Sequence, residues 1–180
     1  MFSISDVFNK SWSALKDQLA LVAGLTLVYF VGLSAISMVP LVSSILTGPF
    51  TAGYMVCLLK IRKKQEIDYM DVFWGFQNFN RFLQLVIAGA IVMIGTIIGL
   101  IFLIIPGIWF VIASVFTTSY IVLKDTDAVT AVKDSLAAVK GNWWRVFLLM
   151  IVMALIGFAG ALCFLVGLLV AIPVTTMMML

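Results

Sequence analysis

Hydrophobic and polar positions are sorted along this chain into long, nearly pure blocks. The 11 Lys and Arg and the 8 Asp and Glu all fall in three islands, 6–17, 60–81 and 124–145. The intervening stretches 18–59, 82–123 and 146–180 hold none of them. Apolar runs of that length fit a lipid bilayer. Each of the first two is about 42 residues, and at about 1.5 Å per residue that allows two helical crossings of a hydrocarbon core about 30 Å thick.

Chain-breaking residues place the predicted boundaries. Pro40, Ser43, Ser44, Gly48 and Pro49 mark a turn region, which predicts helices near 18–39 and 46–62. The second block predicts helices near 81–104 and 107–124, meeting at a turn on Ile105, Pro106 and Gly107. The third predicts a helix near 145–171 that ends before Pro173. From Ala171 the remaining tail reaches about 15 Å as a helix, half a bilayer. A half-crossing and a truncated sixth helix both fit that length.

The islands have helical order of their own. Ile4, Val7, Phe8, Trp12 and Leu15 share one face of the first. Val72, Phe73, Phe76 and Phe79 follow Asp68, an expected N-cap, in the second. Val129, Val132, Leu136, Val139 and Trp143 recur at steps of three and four in the third, which opens near Asp125 to Asp127 and breaks at Gly141. The pattern predicts amphipathic helices lying in the membrane interface, with Trp12, Trp74, Trp143 and Trp144 at headgroup depth and Trp109 on the opposite side.

The three units share an order: amphipathic island, long apolar helix, proline-marked turn. Arg81-Phe82-Leu83 opens one helix much as Arg145-Val146-Phe147 opens another, and Asp6-Val7-Phe8 parallels Asp71-Val72-Phe73. The expected fold is all-α: a polytopic transmembrane bundle of five to six helices in one integral membrane domain spanning 1–180. It is built as three parallel-repeated helical hairpins, about 1–64, 65–124 and 125–180, each preceded by a cytoplasmic amphipathic interfacial helix.

Composition agrees with a membrane class. The chain is 64% hydrophobic and 11% charged, with mean hydropathy +1.22; soluble domains average about 45–50% and about 25%. The N-terminus carries Asp6, Lys10, Lys16 and Asp17 before its first apolar run, which is too long for the core of a cleavable signal peptide. All Lys and Arg lie on the island side of the predicted crossings, so that side is cytoplasmic and the N-terminus with it. The net charge of +3 is spread among anions beside apolar segments and serves topology, so no nucleic-acid partner is expected. Cys57 and Cys163 lie in apolar stretches and read as buried, reduced thiols.

Candidate chemistry is sparse. The chain has no histidine, the usual metal ligand and neutral-pH base. Hydroxyls occur within the apolar helices, most densely at Thr117, Thr118, Ser119 and Tyr120, and with Ser114 these are the candidates for lining a polar cavity. The competing reading is interhelical packing and back-bonding to helix carbonyls. Gln84 is the most polar residue near a helix interior, and Gly95 and Gly99 allow close helix approach. Glu66, Asp68 and Asp71 read as capping residues of a solvated linker rather than a metal site. Arg62, Lys63 and Lys64 read as a topology anchor with some attraction for anionic lipid. Arg81 and Arg145, with the tryptophans, are the expected interfacial anchors; Pro49, Pro106 and Gly107 are the expected turn residues. No cofactor or metal is implied.

More specific segments are Ile105-Pro106-Gly107-Ile108-Trp109-Phe110, Lys124-Asp125, Ala131-Val132-Lys133-Asp134-Ser135 and Gly141-Asn142-Trp143-Trp144-Arg145, with Leu46 to Gly53 upstream. Over roughly 45–147 the chain resembles a broad group of uncharacterised prokaryotic integral membrane proteins. That group includes YciC-like inner-membrane proteins and the membrane domain fused to some glycerophosphodiester phosphodiesterases. The resemblance implies about six helices, a cytoplasmic-membrane location and no established activity. It supplies no catalytic residues, and the soluble phosphodiesterase domain has no counterpart here. The short C-terminus departs from the group.

Three functions are weighed. The first is a non-enzymatic membrane module acting through lipids, a membrane-protein partner or a second copy of itself. The second is a small channel or carrier for neutral or hydrophobic solutes. A membrane enzyme ranks last, because no nucleophile–base pair is visible in the sequence.

Overall fold

In the computed structural model, residues 4–37, 40–162 and 164–180 are described. Among them every regular element is helical. The α-helices are α1 (Ile4–Leu15), α2 (Leu19–Ser37), α3 (Pro40–Arg62), α4 (Phe79–Phe102), α5 (Ile104–Ala113), α6 (Thr117–Lys124), α7 (Ala128–Val139), α8 (Trp143–Leu162) and α9 (Phe164–Met178), with 3-10 segments at Lys16–Gln18 and Tyr69–Phe76. Among the described residues, three spans are long and apolar enough to cross a membrane: α4, the run Ile104–Lys124 formed by α5 and α6, and α8. A sharply bent pair, Ser5–Leu15 with Leu19–Ser34, would add a fourth.

Local chemistry explains the starts of these elements. Asp68 caps the second 3-10 segment by accepting from the Met70 N–H, and Asp71 reaches back to accept from the Asp68 N–H at 2.9 Å. Asn78 caps α4 and Asp127 caps α7 in the same way. Gly141, at φ +84°, takes the left-handed turn between α7 and α8 that a side chain would resist. The expected cap at Asp68, the helix opening expected near Asp125 to Asp127 and the break at Gly141 are all found, with Asp127 as the capping residue.

Several predicted boundaries are corrected. Pro49 is not in a turn: it lies inside α3, where it is fully buried. α3 begins at Pro40, a residue suited to a first helical position because its missing donor has no partner there anyway; residues 38 and 39 lie outside the described set. Pro106 and Gly107 also sit past their turn, in the first turns of α5. The reversal is made by Leu103 alone, in an extended conformation (φ −168°, ψ 147°). Pro173 is inside α9 and ends nothing. The last long helix stops at Leu162, and the predicted tail is a 15-residue helix that returns along α8.

Helix pairs meet in two ways. α2 lies on α3 through hydroxyl bonds: Thr26 to Tyr54 at 2.9 Å and Tyr29 to Thr51 at 3.0 Å. The Tyr29 and Tyr54 rings stack with centroids 4.4 Å apart. α4 lies on α5 through glycines, with Gly99 facing the Gly107 backbone and Gly95 facing the Phe110 ring. Gly160 of α8 likewise faces Ala171 and Gly167 of α9. The 3-10 segment Tyr69–Phe76 crosses α3 so closely that a Cβ on Gly53 would strike the Val72 carbonyl, and one on Gly75 the Pro49 backbone. Lys60 fixes the same crossing by donating to both Asp71 oxygens, at 2.8 and 2.7 Å.

The main core collects Leu15, Val22, Tyr54, Leu58, Ile61, Leu149, Met153 and Val174, and so joins α1, α2, α3, α8 and α9. A second cluster joins Ala52, Leu85, Ala88, Ile121, Ala128 and Ala131. α7 contributes Ala128, Ala131, Val132, Ser135 and Val139, all buried. Its apolar face therefore packs on protein rather than resting on a lipid surface, because small residues on that face let α4, α5 and α6 approach.

Candidate functional site

The span Ile104–Lys124 is broken. Ser114 (φ −94°, ψ 0°) and Phe116 (φ −89°, ψ 2°) leave helical geometry between α5 and α6. In a continuous helix, Thr117 N–H would donate to the Ala113 carbonyl and Phe116 N–H to the Ile112 carbonyl. Here Thr117 donates to Ser114 at 3.1 Å and the Ile112 carbonyl accepts from Val115 at 3.4 Å. The Ala113 carbonyl and the Phe116 N–H are thereby released inside the protein, where an unpaired backbone group is costly.

One side chain satisfies both. Ser135 of α7, fully buried, donates its hydroxyl to the Ala113 carbonyl at 2.7 Å and accepts from the Phe116 N–H at 3.2 Å. Two neighbouring hydroxyls bond the broken ends. Ser114 donates to the Phe110 carbonyl at 2.7 Å, and Thr117 donates to the Ser114 carbonyl at 2.8 Å. α7 is held at its start as well, where Gln84 of α4 accepts from the Ala128 N–H at 2.8 Å and Asp127 accepts from the Thr130 N–H at 3.0 Å. Hydrogen bonding from Thr130, its backbone N–H first, holds the exposed Asp127 carboxyl below the ordinary carboxylate range.

The predicted polar residues thus divide. Ser114 and Thr117 are buried and bonded to backbone. Ser119, also buried, donates to the Met55 sulfur at 3.9 Å. Tyr120, with Lys124 Nζ 4.6 Å from its ring centroid, borders a cavity of about 310 Å³ together with Phe116, Ser119 and Leu123. Thr118 is half-buried, and it is not among the residues lining that cavity. The five hydroxyls therefore do not converge on one space. Ser135, which joins the broken ends, was visible in the sequence only as part of an island motif. Its signal was a lone hydroxyl on the apolar face of an amphipathic helix.

The expected anchors are also placed. Trp74 lies beneath the Arg81 guanidinium, 4.6 Å from ring centroid to carbon, and Arg81 Nε approaches Asp125 at 3.4 Å. Arg145 donates to the Asn142 side chain at 3.1 Å. Trp12 and Trp144 are exposed. Trp109, predicted on the opposite interface, shares an apolar groove of about 610 Å³ with Ile105, Ile108, Trp143, Trp144 and Phe147. The packing of α7 against α5 brings the start of α8 toward α5, and separation along the sequence did not foresee that.

The described residues thus form a helical protein with three segments long and apolar enough to cross a membrane. The chain belongs to the family described as a domain of unknown function, DUF7847, which matches residues 67–180. No curated protein and no solved structure matches it. The matched region contains the broken span and α7 but not α1 to α3.

Proposed function

We propose that this chain is a multi-pass protein of the cytoplasmic membrane, with its N-terminus in the cytoplasm, that acts without catalysis through contacts with lipids or with a partner membrane protein. The carrying observation is how the hydroxyls on its helices are used. Ser114, Thr117 and Ser135 close a break in the backbone and Thr26, Tyr29, Thr51 and Tyr54 join two helices, while large apolar side chains such as Leu155, Phe158 and Leu162 face outward. Polar groups committed to the fold leave the outer surface as the working surface. The resemblance to uncharacterised inner-membrane proteins supports the same reading, as does the confinement of Lys and Arg to the islands. Photocrosslinking in native membranes tests it. Reproducible capture of one lipid class or one protein is expected, and its absence sinks the reading. Cysteine labelling at Ser44 and Glu66 from outside intact cells tests the threading, with only Ser44 expected to react.

A carrier for neutral or hydrophobic solutes is the second reading. The broken span favours it, since discontinuous helices build substrate sites in several transporter folds. Solute flux into liposomes that is abolished by Ser114→Phe or Thr118→Phe would establish it.

A further inference from the structure

We propose that a polar pocket at the shared end of two candidate spans binds the zwitterionic phosphoethanolamine group of a membrane lipid. This deepens the reading of a protein that acts through lipid contacts, and it rests on that reading. The pocket, a cavity of about 260 Å³, lies where α4 begins and α6 ends. Every described residue lining it except Ile121 carries a polar or charged side chain. Pockets for drug-sized ligands hold about 300–1,000 Å³, so this one suits a smaller polar group. α4 and the run Ile104–Lys124 are both long and apolar enough to cross a membrane. When they do, their common end lies among lipid headgroups.

The lining is divided into two walls of opposite chemistry. α4 and its cap supply donors. The Asn78 side chain uses its oxygen to accept from the Asn80 N–H at 2.9 Å, and Gln84 uses its oxygen to accept from the Ala128 N–H at 2.8 Å. The amide nitrogens of both therefore keep N–H donors that have no partner among the described residues. Arg81 meets Asp125 through Nε alone, at 3.4 Å, which leaves its two terminal nitrogens available. The segment after α6 supplies acceptors. Asp125 and Asp127 are exposed, and each uses only part of the roughly four hydrogen bonds that a carboxylate can accept. Thr126, between them, has a buried hydroxyl oxygen with no partner among the described residues, so hydrogen bonding in this corner is incomplete.

A ligand of one sign does not suit this arrangement. An anion on the α4 wall would face Asp125 and Asp127, and a cation on the other wall would face the Arg81 guanidinium. A zwitterion places a phosphate on the α4 donors and an ammonium on the two carboxylates, each through charge-assisted hydrogen bonds. The ammonium must carry N–H groups for the carboxylates to accept. A quaternary ammonium would need aromatic faces, and no aromatic side chain is among the described residues lining the pocket. The Trp74 ring is already covered by Arg81, 4.6 Å from its centroid. Phosphoethanolamine meets these demands. Phosphocholine lacks the N–H groups, and phosphoglycerol lacks the positive charge.

The closing experiment is native mass spectrometry of the full chain in detergent, equilibrated with equimolar phosphatidylethanolamine, phosphatidylcholine and phosphatidylglycerol of matched acyl chains. The protein is expected to retain phosphatidylethanolamine about tenfold over each of the others, the difference that one charged hydrogen bond makes. Mono- and dimethylation of the ethanolamine should lower retention stepwise. Gln84→Glu keeps the acceptor for Ala128 but sets a carboxylate in the phosphate wall. Asp127→Asn keeps the cap of α7 but removes a charge from the ammonium wall. Both are expected to abolish the preference, and Arg62→Gln, outside the pocket, to leave it intact. Excess free O-phosphoethanolamine is expected not to displace the lipid; displacement overturns the lipid as the source of the bound group. Equal retention of all three headgroups overturns the pocket and leaves the lipid reading standing, whereas retention of none overturns both. An unchanged preference in folded Gln84→Glu and Asp127→Asn overturns the assignment to these residues. If neither variant accumulates, failure of the unaltered chain to distinguish ethanolamine from its methylated forms overturns the proposal.

Discussion

The pair α2–α3 and the pair α4–α5 solve the same problem with opposite means. In the first, two cross-helix hydroxyl bonds and a tyrosine stack fix the register. In the second, among the described residues, glycine lets backbone meet backbone and no hydrogen bond crosses from one helix to the other. Hydroxyl bonds between apolar helices contribute modestly, about 0.6 kcal/mol on average, but they are directional. Glycine contacts gain dispersion over a surface, and they fail as soon as a side chain intrudes. The family match begins at residue 67, so it includes the glycine-joined pairs and leaves out the hydroxyl-joined one. The second design belongs to the family domain and the first to what precedes it in this chain.

Substitutions can break this contrast. Gly99→Ala places a Cβ 2.7 Å from the Gly107 Cα, where only backbone can yield. It should have the largest effect, a loss of about 3 kcal/mol in reversible unfolding in detergent. Thr26→Val comes next, at about 2 kcal/mol. Thr26 gives its own hydrogen to the Val22 carbonyl at 2.7 Å, so Tyr54 must be the donor in the 2.9 Å bond between them, and valine would leave that buried donor unpaired. A double-mutant cycle with Tyr54→Phe should then recover part of the loss. Gly32→Ala should cost less, about 1 kcal/mol, because its Cβ meets the Phe50 ring, a side chain able to turn away. If Gly32→Ala and Gly99→Ala prove equally damaging, the contrast fails.

The smallest effect concerns pH. Asp127 has a depressed carboxyl pKa in the folded protein, because its ionised form accepts the N–H donors of α7. A depressed pKa adds stability above the unfolded value, and this is lost as pH falls through the folded one. The start of α7 should therefore loosen below about pH 4, read as faster exchange of the Thr130 amide. Asp127→Asn should keep the cap and abolish that dependence; Asp127→Ala should show fast exchange at every pH.

What the sequence disclosed depended on whether a residue's chemistry or its surroundings decided its place. Asp68, Asp127 and Gly141 act through their own side chain or dihedral angle, and all three were legible. So was α4, whose extent follows from an uninterrupted apolar run. The reversals were not. Leu103 turns the chain as an ordinary apolar residue in an extended conformation, while Pro106, Gly107 and Pro49, the obvious punctuation, lie within helices. Proline is a weak boundary marker where neighbouring helices supply the missing contacts, as they do around buried Pro49. The candidate site was half visible. Ser114 and Thr117 stood out as hydroxyls, but the break they surround depends on Ser135, 19 residues beyond Phe116, and hydropathy carries no trace of that pairing.

The single-residue reversal at Leu103 restricts how this protein can be engineered. With Gly99 seated on Gly107 only a few positions to either side, the connection has no slack, and a reporter domain inserted there would prise the two helices apart before it could fold. The stretch from Lys63 to Ile67 is a tolerant alternative, since it is largely solvent-facing and free of helical pairing beyond Gln65. Fluorescent or affinity inserts should be placed in that stretch.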